Sequence, residues 1–212
     1  MSTIKTNQLA HTANGASVYT LPQTDGSAGQ VLKTDGSGNL AFTETPADGS
    51  ITAAKLASGV NAITMVDAWG TSGGSNYSNN NFITNNWVRR TGLHGGNVGS
   101  AMTESSGVFT FPSNGLYYIS WQFGGYAYAG DLSYAAARLY LSTDSGANFS
   151  EVSSAYTSAQ HQQYFRIVGQ ELLDVTHASL FRIKFRTENN NDMSIQGGQG
   201  RTNLLFVRYG DT

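Results

Sequence analysis

Residues 108–123 read VFTFPSNGLYYISWQF, and this stretch decides the fold class. Side chains on a strand alternate between two faces, so Phe109 and Phe111 share one face before the Pro-Ser-Asn-Gly turn. After it, Tyr117, Ile119, Trp121 and Phe123 share one face in turn. Pro112 and Gly115 bracket the reversal, and the expected element is a β-hairpin.

Working outward, residues 63–212 continue as strand-like runs separated by turn clusters. The clearest are residues 82–88, 107–111, 116–123, 137–142, 164–168, 180–187 and 202–209. Residues 180–187 alternate cleanly, with Phe181, Ile183 and Phe185 on one face and Arg182, Lys184 and Arg186 on the other. The first face is core and the second wet or interfacial. About seven to ten short strands with no helical pattern between them argue for a two-sheet antiparallel sandwich rather than a βαβ fold.

Residues 1–60 are built differently, from small and polar residues without a sustained hydrophobic period. Asp-Gly-Ser recurs at residues 25–27, 35–37 and 48–50, marking turns between short extended pieces such as residues 30–33 and 40–43. Composition alone fits either a linker or an extended, turn-rich arm. Residues 50–59, SITAAKLASG, are the one helix candidate, with Ser50 as N-cap and Gly59 as stop. The expected division is therefore residues 1–60, an arm with a short helical connector, and residues 61–212, a β-sandwich domain.

Composition narrows the function. Of 212 residues, charged types make up 12% and glycine numbers 25, the balance of a turn-rich all-β protein. A formal charge of -2 supplies no global positive field, so nucleic acid is not an expected partner. Cysteine is absent, which removes disulfides and thiolate metal sites. There is no run of about 18 apolar residues, and the start MSTIKTNQLAHT lacks an apolar signal core. A soluble chain with no membrane insertion and no signal peptide is the expectation.

No catalytic constellation stands out. His11, His94, His161 and His177 lie far apart in no metal-ligand spacing, and no nucleophile elbow, phosphate loop or zinc-protease motif occurs. Asp144-Ser-Gly-Ala-Asn148 shares a few oxygen ligands with a calcium loop but lacks the distal Glu, and reads as a hairpin turn. Residues 188–192, ENNND, read as a polar hairpin tip. The row Arg182, Lys184, Arg186 places three cations along about 13 Å of one strand face, most simply a solvated or cross-strand-paired face. No catalytic residue, metal or cofactor is expected.

The surface candidate is FGGYAYAGDLSY, residues 123–134, read as an aromatic loop. Tyr126, Tyr128 and Tyr134 offer flat apolar faces with hydroxyl handles, suited to sugar or protein recognition. Tyr77, in SNYSNNNF at residues 75–82, adds a second aromatic tip. Tyrosines on a strand can equally fill a seam between subunits, and the sequence leaves both readings open.

Three stretches carry a family resemblance. Residues 105–121, SSGVFTFPSNGLYYISW, and the ending LLFVRYGDT resemble the jelly roll of the complement and tumour-necrosis-factor domains. Residues 21–42, LPQTDGSAGQVLKTDGSGNLAF, with DGSITAAKLASGV at residues 48–60, resemble the N-terminal arm of bacteriophage fibre proteins. Together the chain is similar to a phage tail-fibre or virion appendage protein with a C-terminal jelly roll. The resemblance implies a non-enzymatic homotrimer located in the virion. Its arm would dock on other virion proteins and its jelly roll would meet a host-surface glycan or protein. A capsid decoration or head-fibre protein, and a polysaccharide-cleaving spike, are the alternatives it leaves. No collagen-type stalk is present, and the family's calcium ligands map onto no residues here.

Overall fold

The computed structural model describes residues 6–10, 18–44, 63–77, 81–92, 95–198 and 200–211, except for the side chains of residues 10 and 75–77. The helix expected at residues 50–59 lies outside the described residues, as do His11 and His94. The chain divides into two compact units, Met1–Val60 and Asn61–Thr212.

The first unit is two small antiparallel hairpins. Strand β1 (Gln8–Ala10) pairs with β2 (Val18–Thr20), and β3 (Gln30–Thr34) pairs with β4 (Leu40–Glu44). The second Asp-Gly-Ser repeat makes the β3–β4 turn. Asp35 Oδ1 accepts the Ser37 and Asn39 amides at 2.7 and 3.1 Å, while the Asn39 side-chain amide donates to Oδ2 at 2.7 Å. These bonds hold the Asp35 carboxyl below its ordinary pKa, the Asn39 side chain contributing most. None of the described side chains in this unit is buried, and Leu9, Val31, Leu32 and Phe42 are exposed.

The second unit is the sandwich. Its strands are β5 (Met65–Thr71), β6 (Ser75–Tyr77), β7 (Asn81–Phe82), β8 (Trp87–Arg89), β9 (Asn97–Gly99), β10 (Thr103–Ser105) and β11 (Val108–Thr110). Then follow β12 (Gly115–Tyr126), β13 (Leu132–Ser142), β14 (Ser150–Ala159), β15 (Tyr164–Val175), β16 (Arg182–Asn189), β17 (Met193–Ile195) and β18 (Asn203–Arg208). One sheet runs β10-β11-β16-β13-β14, with β7 also on β16; the other runs β6-β17-β12-β18-β5-β8, with β15 along β12 and β9 on β5. All the pairings are antiparallel.

The expected hairpin is not one. Strand β11 hydrogen-bonds to β10 and β16, whereas β12 lies in the other sheet between β15 and β18. The Pro-Ser-Asn-Gly turn is an arch that carries the chain from one sheet to the other. Alternation set the faces correctly, because Phe109, Phe111, Tyr117, Ile119, Trp121 and Phe123 are all buried in the same core. It is blind to which strand supplies the hydrogen bonds. At the arch, Gly115 has φ 138°, and a Cβ there would stand 2.2 Å from the Gly210 carbonyl oxygen, so a side chain does not fit. Asn114 ties the arch down: its Oδ1 accepts the Ala178 amide at 2.8 Å and its carbonyl accepts Arg208 Nε at 2.7 Å.

Two more expectations change in the same way. Residues 82–88 are not one strand: β7 joins one sheet and β8 the other, with buried Ile83 between them. Residues 190–192 are a crossover from β16 to β17, not a hairpin tip. Aromatic rings hold the core. Phe109 packs edge-on to Trp69 at 5.3 Å and Trp87 at 5.6 Å, and lies 5.4 Å from Phe206. Buried Asp67 is satisfied by Trp69 Nε1, the Met102 amide and a forked contact from Arg89, with Nε at 2.8 Å.

Candidate recognition surface

The aromatic stretch at residues 123–134 is mostly strand. Tyr126 closes β12, Tyr134 lies near the start of β13, and only residues 127–131 form the loop between them. That loop belongs to a knot of three crossovers at one end of the sandwich. The Ala127 amide donates to the Gln163 carbonyl at 3.0 Å, and the Gln162 amide returns to the Ala127 carbonyl at 2.7 Å. Asp131 is the hub: its Oδ1 accepts the His161 amide at 2.7 Å, and its carbonyl accepts the side-chain amides of Asn190 and Asn191 at 3.2 and 2.6 Å. His161 Nε2 faces the Tyr128 carbonyl at 3.1 Å, an acceptor only, so this nitrogen carries the proton.

The structure does not gather the candidate tyrosines on one platform. Tyr126 turns outward from its sheet and packs at a tilt against Tyr164, with centroids 4.8 Å apart. Tyr128 sits in the loop, 38% exposed. Tyr134 belongs to the opposite sheet, where its hydroxyl donates to Glu188 Oε1 at 3.3 Å and its amide donates to Asn190 Oδ1. Desolvation, with the Glu188 carboxylate second, pushes the Tyr134 hydroxyl pKa up. Tyr77 lies in β6, its side chain outside the description. Sequence reasoning missed Asp131, Asn191 and Tyr164; the polar run at residues 188–192 was the one signal for the knot.

The two sheets present different outer faces. On the β12 sheet, Leu172 (β15), Tyr118 (β12), Val207 (β18), Val66 (β5) and Val98 (β9) occupy one register line across five strands. Their chain neighbours Tyr117, Ile119, Met65, Phe206 and Arg208 are buried, so this row points away from the core. Val98, Leu172 and nearby Val168 are 67, 54 and 61% exposed. At the Tyr126 end of the same face a cavity of 320 Å³ is lined by Gly124, Gly125, Tyr164, Phe165, Arg166 and Arg201, among others.

The other outer face is charged and aromatic. Lys184 Nζ sits 3.7 Å from the Phe82 ring centroid and 3.9 Å from that of Phe149. Arg138 bridges Glu151 at 2.6 Å and Glu188 at 3.1 Å. At the far end of β13, Asp144 closes the hairpin turn to β14. It accepts the Ser142 hydroxyl at 2.6 Å, the Asn148 amide at 2.9 Å and the Asn148 side chain at 2.8 Å. Both carboxylate oxygens are thus engaged by donors of the turn itself. Among the described residues no group of three or more His, Cys, Asp or Glu is arranged for a metal ion, and no helix is long and apolar enough to cross a membrane.

No protein-family model matches the chain, and no curated protein matches it. Solved structures do. The Eiger tumour-necrosis factor of S. frugiperda superposes with a TM-score of 0.56 at 11% identity, over 71% of this chain and 96% of that one. Murine APRIL at pH 5.0 superposes with a TM-score of 0.51 at 10% identity, over 68% of this chain and 98% of that one. The globular domain of zebrafish complement 1qA protein aligns at a TM-score of 0.45 and 10% identity, over 70% of this chain and 99% of that one. At such low identity the likeness speaks for fold alone: the chain carries a jelly roll of the tumour-necrosis-factor type.

Proposed function

We propose that this chain is a non-enzymatic structural protein of a bacteriophage virion: a homotrimeric tail fibre or appendage that docks through residues 1–60 and displays residues 61–212 to the host surface. The observation that carries the assembly is the apolar row Leu172, Tyr118, Val207, Val66 and Val98. A half-solvated antiparallel sheet alternates apolar-in and polar-out, so an apolar line across five strands on the outward side calls for a cover. Copies of the same chain around a threefold axis supply one, with no disulfide available as an alternative staple. The arm sequence that resembles phage fibre proteins supports the virion setting and the docking on other virion proteins.

Receptor contact then falls at the knotted end of the sandwich. Tyr128 and the Tyr126–Tyr164 pair offer aromatic surface to a host glycan or protein, while Tyr134, tied to Glu188, contributes less. Aromatic anchors typically cost about 2 kcal/mol or more when truncated. Replacing Tyr126, Tyr128 and Tyr134 by alanine together is expected to lower adsorption to host cells while light scattering still reads a trimer. Unchanged adsorption moves the site towards Tyr77. Deleting residues 1–60 is expected to abolish incorporation into particles and leave the thermal transition of the jelly roll nearly unchanged. A truncated protein that still assembles onto particles removes the arm as anchor. An image of the labelled chain on a particle distinguishes a tail position from a capsid one.

A further inference from the structure

We propose that the outward face of β16, centred on Lys184 and Arg186, is a binding site for an acidic polysaccharide. Four cations stand on this face, and two of them are spent locally. Arg138 is held by Glu151 and Glu188, and Arg182 donates to the carbonyls of Ala178, Ser179 and Phe181. Lys184 and Arg186 have no carboxylate partner among the described residues. Their company is aromatic. Lys184 Nζ lies between the Phe82 and Phe149 rings, and the Arg186 guanidinium stands 5.6 Å from Phe82 and 5.9 Å from Tyr140, to whose hydroxyl Nη1 donates at 3.1 Å.

A face evolved only to be solvated does not need this arrangement. Arg186 lies directly opposite Arg138 in the β13–β16 register, so its cross-strand neighbour offers it no carboxylate. Desolvation, with Arg186 beside it, pulls the Lys184 amine below its ordinary pKa. The buried Nε of Arg186 has no hydrogen-bond partner. Cation–π contacts with three rings explain how the two charges are held in place; they do not balance them. An anion brought from outside would balance the two charges.

The chemistry of the face selects the anion's carrier. Two cations about 7 Å apart along a strand, on an open sheet surface, suit an extended chain better than a small molecule in a pocket. The half-buried rings of Phe82, Tyr140 and Phe149 beside them add apolar surface for the C–H groups of a sugar chain, while the charges meet carboxylate or sulfate groups. Two free cations are too few for a polyphosphate partner whose affinity comes from many released counterions. This inference rests on residues 61–212 being a displayed binding module, and not on the trimer or the virion.

The test uses the full-length purified protein with four immobilised probes: a polyuronate, a sulfated glucan, neutral dextran, and polyglutamate as an acidic peptide. Binding to one or both acidic glycans, weakened by raised salt and absent on dextran, is expected; which of the two binds identifies the anion. The Lys184→Gln/Arg186→Gln variant is expected to lose about tenfold or more in affinity. Arg138→Gln, which removes a cation already neutralised, is expected to change it little. Lys184→Arg keeps the charge, and retained binding in that variant separates loss of the site from loss of the fold. Absence of binding to both acidic glycans, affinity unmoved in the double variant, or equal binding to polyglutamate overturns the proposal. A monomer by light scattering that still shows these glycan results overturns the trimer and leaves this site standing.

Discussion

The two sheets of the sandwich share one aromatic core and turn opposite kinds of surface to the outside. One outer face lines up Leu172, Tyr118, Val207, Val66 and Val98, and the other sets Lys184, Arg186 and Arg138 among Phe82, Tyr140, Phe149 and Tyr156. The inward residues are interchangeable in kind, aromatic and aliphatic on both sheets. The difference between the faces thus lies outside the core. Under the two proposals above, the apolar face is covered by another copy of the chain and the cationic face by an acidic glycan.

The largest change is expected on the apolar face, at the proposed seam. Val168→Glu with Leu172→Glu places two carboxylates where the trimer would bury them, and an unpartnered buried charge costs several kcal/mol. Light scattering is expected to fall from the mass of three chains to that of one. The protomer should stay folded, because both side chains point out of its core. Lys184→Glu with Arg186→Glu, the same charge reversal on the opposite face, is expected to leave the mass unchanged. If the two double variants behave alike, the faces do not divide the work as described.

A smaller effect tests the core that both faces share. Gly169 on β15 lies opposite Trp121 on β12, and a Cβ at Gly169 would stand 2.2 Å from the indole. Strand β15 thus leaves room for the Trp121 ring, and backbone freedom is not the reason for the glycine. Gly125 plays the same part beneath Phe165, again at 2.2 Å. Gly169→Ala is expected to destabilise the domain by about 1–3 kcal/mol through overpacking, read as a lower melting temperature and a changed Trp fluorescence. An unchanged melting temperature would mean that Trp121 moves freely, which its burial argues against.

How far the sequence could be read follows from what alternation encodes. Period two identified Phe109, Tyr117, Trp121, Ile183 and Phe185 as inward residues, and with them the sandwich. Pairing is set by contacts distant in the chain, so an arch and a hairpin look alike around Pro112-Ser-Asn-Gly115, and the crossover at residues 190–192 looks like a tip. Strand β14, SEVSSAYTSA, was legible only through the turn before it, because a serine-rich edge strand exposes much of what it carries. The candidate site was less legible still. Tyr126 and Tyr134 are close in sequence but sit on different sheets, since the loop between them crosses the sandwich. Asp131 organises the knot partly through its backbone carbonyl, which leaves no trace in residue type.

The last effect is the mildest and falls at the margin of the cationic sheet. The β13–β14 turn is fastened by Asp144, whose carboxyl is drawn from 3.8 down to about 2, first by the Ser142 hydroxyl and then by the Asn148 amides. The β3–β4 turn of the arm uses the same device with Asp35 and Asn39 four residues on, the spacing of Asp144 and Asn148. Because the folded-state pKa lies below the unfolded one, the ionised carboxylate favours the folded state. Its contribution is complete above about pH 4 and disappears as the pH falls through about 2. Asp144→Ala is therefore expected to lower the melting temperature slightly at neutral pH, with the gap to the unmodified protein closing between about pH 4 and pH 2. A gap that stays constant down to that pH would show that the turn is held by its backbone geometry, with Gly146 at φ 95°, and not by the carboxylate.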